Sequence, residues 1–299
     1  MRADRGDWPP LPAAAWAETR ATLHLWTQIA GKVRLAFAPY VNHWWHVPLY
    51  VTGRGLTTSP IPWRNGSFEM TFDFIGHQLR IETSEGGRRE IALAPQTVAD
   101  FYHRVLAALA DLGIDVRIWP MPVEIASPIR FDRDTGHGAY DAEAANRFWR
   151  VLAQADLVLK EFRGRFIGKC SPVHFFWGSF DLAVSRFNGR RAPERPGADK
   201  MTREAYSHET MSAGFWPGNP PAIDAAFYAY AAPEPAGYKT ARIAPRAARY
   251  NAELGEYLLP YDDVWGAEAP GDRVLEFLQS TYEAGARLAH WDRAQLEKH

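Results

Sequence analysis

The same order of motifs occurs twice along this chain of 299 residues. In the first half, Trp26 lies in a helical pattern of apolar residues, and His46 follows in a run rich in aromatic and β-branched residues. In the second half, Trp149 lies in a similar helical pattern, and His174 follows in a similar run. Each half then reaches a Leu-Ala-Pro or Leu-Pro corner and a further amphipathic helix. We therefore predict an internal duplication of a unit that contains a helix, antiparallel strands and a helix.

The expected fold class is α+β, with a pocket between two similar halves. We predict one unit over residues 1–299, with half-repeats at 12–119 and 141–291 and a long loop insertion in the second half over Arg190–Pro221. Apolar spacing predicts helices at about Glu18–Phe37, Thr97–Leu112, Asp141–Phe162 and Asp272–Trp291. Strand-like runs between Gly-containing turns predict strands at His43–Thr52, Leu56–Pro60, Phe68–Phe74, Leu79–Thr83, Glu90–Leu93, Val173–Ser185, Phe227–Ala231 and Glu256–Leu259.

Composition excludes several classes of protein. Lys plus Arg is 34 and Asp plus Glu is 35, which gives a formal charge of −1 and no basic face for nucleic acid. The single cysteine, Cys170, excludes an intramolecular disulfide and a Cys-rich metal site within one chain. No apolar stretch is long enough for a secretory signal or a transmembrane helix, so we expect no membrane association and a cytoplasmic location.

Histidines stand among aromatic residues at matching places in the two halves. His43-Trp44-Trp45-His46 lies in the first half, His174-Phe175-Phe176-Trp177 in the second, and Tyr206-Ser207-His208-Glu209 in the long loop. If the halves approach one another, the candidate ligands of a metal site are His46, His174, His208 and Glu209. Imidazole and carboxylate ligands suit a divalent transition metal, with positions left open for water or substrate.

A metal-free site is equally consistent with these residues. His46 or His174 would act as a general base near neutral pH, with Glu209 orienting it. Arg54 or Lys169 would bind an anionic group of the substrate. The alternative for each histidine is a structural role, in which a ring N–H donates to a backbone carbonyl.

Twelve tryptophans are unusual for a chain of this length. Most fall on predicted packing faces, so core packing is the main role expected for them. Trp45 and Trp177 lie beside the histidines, and Trp216 lies between glycines in the predicted loop, so these three are candidates for ligand binding.

The favoured function is therefore that of a small-molecule enzyme with a His-centred pocket, in a metal-assisted or a metal-free form. One alternative is a non-catalytic binder of an aromatic or amphipathic small ligand. Another is a structural or interaction protein whose aromatic faces are buried in a homo-oligomer.

Several long blocks resemble one family. The segments NHWWHVPLYV, SPVHFFWGSFDLAVSRF, AYSHETMSAGFWPG and FLQSTYEA are similar to hallmark blocks of a widespread bacterial family of similar length, defined only as a domain of unknown function. The resemblance extends from about Trp8 to Trp291. It implies a single family unit and assigns no activity, cofactor or catalytic residue.

Overall fold

A computed structural model describes residues 8–219 and 223–298. Its α-helices are α1 (Ala17–Phe37), α2 (Val98–Asp111), α3 (Ala142–Gly164), α4 (Lys200–Ala205), α5 (Asp262–Trp265), α6 (Pro270–Leu288) and α7 (Arg293–Leu296). Its strands are β1 (Tyr50–Val51), β2 (Gly55–Thr57), β3 (Ile61–Trp63), β4 (Gly66–Asp73), β5 (Gln78–Thr83), β6 (Arg88–Ala92), β7 (His174–Phe176), β8 (Asp181–Arg191), β9 (His208–Trp216), β10 (Ala226–Ala232), β11 (Arg249–Asn251) and β12 (Glu256–Pro260).

The strands form two antiparallel sheets. The first has the order β1-β2-β4-β5-β6, with β3 also paired to β4, and the second has the order β11-β12-β10-β9-β8-β7. The sheets meet where Leu49 and Phe175 exchange backbone hydrogen bonds of 2.9 and 2.8 Å. The α+β class is confirmed, whereas the internal duplication and its half-repeats stay predictions.

The long helices begin and end close to the predicted residues, because the local signals are strong. The side chain of Asp141 caps α3 by accepting a hydrogen bond from the backbone N–H of Ala144. The side chain of Thr97 caps α2 by accepting from the backbone N–H of Asp100. Gly113 follows α2 with a φ of 75°, a left-handed conformation that glycine adopts without strain. The apolar faces of the helices then pack against the sheets in one core.

The predicted strand over His43–Thr52 is wrong except at its end. Asn42–Trp44 forms a 3-10 turn in which His43 and Trp44 have φ values of 57° and 62°. Residues in that left-handed conformation cannot continue a strand. A side chain, rather than a neighbouring strand, binds a backbone carbonyl of this segment, since Arg34 Nε donates to the carbonyl of His46 at 2.7 Å.

The predicted strand over Val173–Ser185 is two strands. β7 and β8 form a hairpin whose turn contains Phe180 with a φ of 61°, a value that a continuous strand does not allow. The turn changes which side chains share a face, so the alternation expected across the whole run does not hold beyond Phe176.

The long loop predicted over Arg190–Pro221 is wrong as a loop. It contains α4 and β9, and β9 lies in the middle of the second sheet between β8 and β10. The strand is visible as an alternation of Thr210, Ser212 and Gly214 with the apolar Met211, Ala213 and Phe215, which the flanking Gly and Pro residues obscure. Pro220 and Pro221 lie outside the described residues.

Among the described helices, none combines the length and the apolar character needed to cross a lipid bilayer.

Candidate functional site

A cleft of about 530 Å³ lies over one face of the second sheet. Its volume is in the range of small-molecule sites. Alternate residues of β8, β9 and β10 form its floor, because side chains two apart on a strand share a face. These floor residues are Asp181, Ala183, Ser185, Phe187, Thr210, Ser212, Trp216, Tyr228 and Tyr230, and β12 adds Glu256.

Segments from the first half of the chain cover the cleft together with α4. The covering residues include His43, Trp45 and Val47 from the turn before β1, and Glu124 from the irregular segment after α2. The turn and α4 are tied together by hydrogen bonds from Tyr40 Oη to Glu204 Oε2 at 3.2 Å and between His43 Nδ1 and the Ala205 carbonyl at 3.0 Å.

Asp181 is the most buried carboxyl group of the cleft, with 7% of its surface exposed. Ser179 Oγ and Tyr228 Oη both donate hydrogen bonds to its carboxylate. Burial raises the pKa of Asp181, and the two hydrogen bonds partly offset that effect. A Cβ at Gly214 would lie 1.9 Å from the Leu182 carbonyl oxygen and 2.8 Å from Tyr228 Oη. Glycine at this position therefore leaves room for the tyrosine to reach Asp181.

Two further carboxyl groups line the cleft. Burial and the neighbouring Asp181 raise the pKa of Glu256 to about 7, and the same two causes raise the pKa of Glu124. Glu124 is more exposed than the other two and has a φ of 55°. Like charges that share a site cannot all ionise freely, so these acids disfavour one another's charged forms.

Polar residues of α1 hold the cleft segments in place. Gln28 Oε1 accepts from the Val123 N–H and Gln28 Nε2 donates to the Val123 carbonyl, both at 2.9 Å. One turn earlier, His24 Nε2 lies 2.8 Å from the carbonyl of Gly178 in the β7–β8 turn. Burial is the main cause that lowers the pKa of His24 to about 4, so its ring is neutral. A carbonyl oxygen can only accept, so Nε2 is the nitrogen that donates to Gly178.

His43 lies at the opposite end of the β8 floor from Asp181, beside Phe187. Its Nε2 is 2.7 Å from Lys169 Nζ, and its Nδ1 is 3.0 Å from the Ala205 carbonyl. Lysine can only donate, so Nε2 is the acceptor and Nδ1 carries the proton. Burial lowers the pKa of His43, as do the positive charge of Lys169 and the nearby His208. The ring is therefore neutral, and its two nitrogens form hydrogen bonds with Lys169 and with the Ala205 carbonyl.

The predicted aromatic ligand-binding residues lie on the cleft. Trp45 and Trp177 line it, and Trp177 Nε1 donates to the Val47 carbonyl at 2.8 Å. Trp216 lines it from the end of β9 rather than from a loop. Lys169 lies at the His43 end, with Nζ 5.4 Å from the ring centre of Trp45.

Other predicted site residues lie elsewhere. Arg54 forms an ion pair with Asp73 at 2.9 Å in the first sheet. His46 lies outside the residues that line the cleft, with Nδ1 3.2 Å from the Val41 nitrogen and 3.3 Å from its carbonyl oxygen. His174 is 1% exposed, and neither ring nitrogen has a hydrogen-bond partner within the described protein. Burial is the main cause that lowers its pKa to about 3.

Glu209 points away from His208. Consecutive residues of a strand point to opposite faces, and Glu209 lines a separate cavity of about 200 Å³. There it accepts hydrogen bonds from Asn188 Nδ2 at 2.6 Å and from Arg190 Nη2 at 2.7 Å. The predicted pairing of His208 with Glu209 placed both residues in a long loop, where the structure instead has β9.

The four predicted metal ligands, His46, His174, His208 and Glu209, do not come together. Over residues 8–219 and 223–298, no group of three or more His, Cys, Asp or Glu side chains is placed to hold a metal ion.

Sequence reasoning missed the acidic groups of the cleft. Asp181 was visible as a charge in an apolar strand, which is a signal for a buried polar role. Glu124 carried no such signal, because it lies in a segment without periodicity. Glu256 and Tyr228 reach the cleft only through the order of strands in the second sheet.

Comparison with known proteins identifies the family. No curated protein and no solved structure was found to be similar to this chain. Residues 8–298 match the family described as a family of unknown function, DUF5996. Because this match covers nearly the whole chain, the protein belongs to that family.

Proposed function

We propose that this protein binds a small amphipathic molecule that carries an amine or quaternary ammonium group, with the cationic group beside Asp181. The observation that carries the proposal is the composition of the cleft. Glu124, Asp181 and Glu256 line it, and among its described lining residues there is no Lys or Arg. Electrostatic complementarity favours a positively charged ligand in such a site.

The walls of the cleft suit the same class of ligand. Nine large aromatic residues line the cleft together with the carboxyl groups, namely Trp44, Trp45, Phe176, Trp177, Phe187, Tyr206, Trp216, Tyr228 and Tyr230. The face of an aromatic ring attracts a cation by about 0.5–2 kcal/mol, and most strongly where water is excluded. The apolar edges of these rings would contact the uncharged part of the ligand.

The raised pKa values of the carboxyl groups predict a proton release that distinguishes a cationic ligand from a neutral one. Asp181 and Glu256 each have a pKa raised by burial, and Asp181 contributes to the raised pKa of Glu256. A bound cation would reverse both effects, because it stabilises the charged forms. Binding would therefore release protons from the protein.

Backbone strain at the cleft is in keeping with a ligand site. His43, Trp44 and Glu124 have left-handed φ values of 57°, 62° and 55°. Each such residue costs on the order of 1 kcal/mol, and such residues cluster at ligand sites.

A second candidate is an acid–base enzyme that acts on the same ligand class. It retains the hypothesis of a small-molecule enzyme but places the chemistry on carboxyl groups, since both nitrogens of His43 are engaged. The observation that favours it is the effect of the Asp181 charge on Glu256, since two carboxyl groups that disfavour each other's charged forms can supply one acid and one base. If the wild type converts a bound cationic compound and Asp181→Asn does not, the result would support this candidate. Recovery of the compound unchanged from the wild type would contradict it.

Tryptophan fluorescence tests the binding proposal, because Trp45, Trp177 and Trp216 line the cleft. We expect saturable quenching by benzyltrimethylammonium, with the Kd raised at least about tenfold in Asp181→Asn. Glu256→Gln is a second variant at the other strand and should act in the same direction. Glu209→Gln is the matched control, because it removes a carboxylate outside the cleft. An equal Kd in the wild type and both cleft variants would contradict the proposal.

A further inference from the structure

A basic side chain, Lys169, lies beside the end of the cleft opposite Asp181, although it is not one of the residues that line the cleft. Lys169 Nζ lies 5.3 Å from the ring centre of Phe187, and the backbone N–H of Phe187 donates to the Lys169 carbonyl at 2.9 Å. Phe187 is the last cleft residue of β8, whereas Asp181 is the first residue of that strand. The six residue steps from Asp181 to Phe187 span about 20 Å along a strand.

Positively charged and imidazole groups gather at this end. The ring centres of His43 and His208 are 5.8 Å apart, and His43 bonds Lys169. Burial lowers the pKa of His208, and the charges of Lys169 and Arg191 lower it further.

The described ion pairs give Lys169 no acidic partner. Among the described residues, its one side-chain hydrogen bond goes to His43 Nε2, which leaves two ammonium N–H groups for another acceptor. The side chain is also exposed, and its Nζ lies beside three residues that line the cleft, namely His43, Trp45 and Phe187.

We infer that the ligand of the cleft is zwitterionic, with an anionic carboxylate or phosphate group bound by Lys169 at the His43 end and its cationic group at the Asp181 end. This inference rests on the proposed function. His43 is a positioning residue in this arrangement: its Nδ1–H is held by the Ala205 carbonyl, so its Nε2 fixes the direction of the lysine side chain. The apolar middle of the ligand would cross the floor between the two ends, over Ala183 and beside Trp45.

The arrangement predicts a length as well as a charge pattern. The two ends lie about 20 Å apart along the strand, so the two charges of the ligand should be separated by no more than about that distance. Aminoundecanoate is a probe of suitable length, and undecylamine is its counterpart without the carboxylate.

Calorimetric titration of the full chain with these two probes tests the inference. In the wild type we expect aminoundecanoate to bind about tenfold more tightly than undecylamine, because a charge-assisted hydrogen bond contributes an effect of this order. In Lys169→Gln the ratio of the two Kd values should fall to near one. Lys239→Gln, which removes an exposed lysine outside the cleft, should keep the ratio of the wild type.

Two outcomes overturn the inference while leaving the proposed function in place. In the first, undecylamine binds and the carboxylate gives no gain. In the second, the gain is equally large in Lys169→Gln.

Failure of the proposed function gives a different result, in which neither probe binds. Titration with inorganic phosphate then decides about the basic end. Shifts of the His43 and His208 imidazole NMR signals that are lost in Lys169→Gln would support an anion subsite, and their absence would overturn it.

Discussion

Gln28 binds both backbone groups of Val123, as a neighbouring strand would, with two hydrogen bonds of 2.9 Å. The contact joins the middle of α1 to a segment that has no regular structure of its own. Because Glu124 is the next residue, this one amide side chain positions a carboxyl group of the cleft. The first helix therefore contributes to the site through a side chain that does not itself line the cleft.

Replacement of Gln28 should affect stability and the site together. In Gln28→Leu the N–H and carbonyl of Val123 lose their partners, and we expect the free energy of unfolding to fall by about 2 kcal/mol. Urea denaturation measures this change. Gln279→Leu is the matched control, since Gln279 bonds only Glu283 on the same helix. Equal losses in the two variants would contradict the role given to Gln28.

A methyl group at Gly214 should separate Tyr228 from Asp181. The added Cβ of Gly214→Ala would lie 1.9 Å from the backbone oxygen of Leu182, which has little freedom to move. We expect a loss of more than about 2 kcal/mol in the free energy of unfolding. Thermal denaturation measures it, with Gly164→Ala as control, because a Cβ at Gly164 meets no atom within 4 Å. Wild-type stability of Gly214→Ala would contradict the close approach of the strands.

His174 should make the protein sensitive to acid. Burial lowers its folded pKa to about 3 from 6.5, so below about pH 6.5 the unfolded chain binds a proton that the folded chain does not. Stability contributed by the neutral ring is thus present above the unfolded pKa and is lost as the pH falls toward the folded value.

His174→Leu removes this dependence. Between about pH 6 and 4, its free energy of unfolding should fall less steeply than that of the wild type, by up to about 1.4 kcal/mol per pH unit. Urea denaturation at a series of pH values measures the two slopes. His103→Leu, which removes an exposed imidazole from α2, is the control. Equal slopes in the wild type and His174→Leu would show that burial of His174 does not penalise its charge.

The affinity for a cation should rise with pH. Glu256 has a folded pKa of about 7, so it is mostly protonated at about pH 6 and mostly ionised at about pH 8. A quaternary ammonium does not titrate, and its Kd should fall by up to about tenfold over that interval. The dependence should flatten in Glu256→Gln. A Kd that rises with pH would mean that the ionised carboxyl groups do not favour the ligand.

The sequence predicted those elements whose signals are local. Asp141 and Thr97 cap helices, and an apolar stripe continues beyond each of them, so α3 and α2 were predicted almost at their observed ends. The β4–β5 meander was likewise marked by alternation and by Gly-containing turns. The strands around His43 and Phe180 were predicted wrongly, because left-handed backbone at non-glycine residues leaves no mark in a pattern of apolar spacing.

The candidate site was harder to predict than the fold, because it depends on contacts between distant segments. Tyr228 meets Asp181 only because β9 lies between β10 and β8 with a glycine at the crossing point. The aromatic neighbours of His46 and His174 led us to predict them as site residues, yet both are buried and neither lines the cleft. The tryptophan neighbours were the better guide, since Trp45 and Trp177 do line it.

The most direct test of the account is the difference in affinity between two ligands of the same shape and different charge. Benzyltrimethylammonium and its uncharged carbon isostere, neopentylbenzene, can be compared by competition for the same fluorescence signal at about pH 8, where the carboxyl groups are most ionised. The account predicts that the cation binds at least about tenfold more tightly and that Asp181→Asn removes most of this difference. Equal or tighter binding of the neutral isostere would contradict the claim that the cleft recognises a cationic ligand.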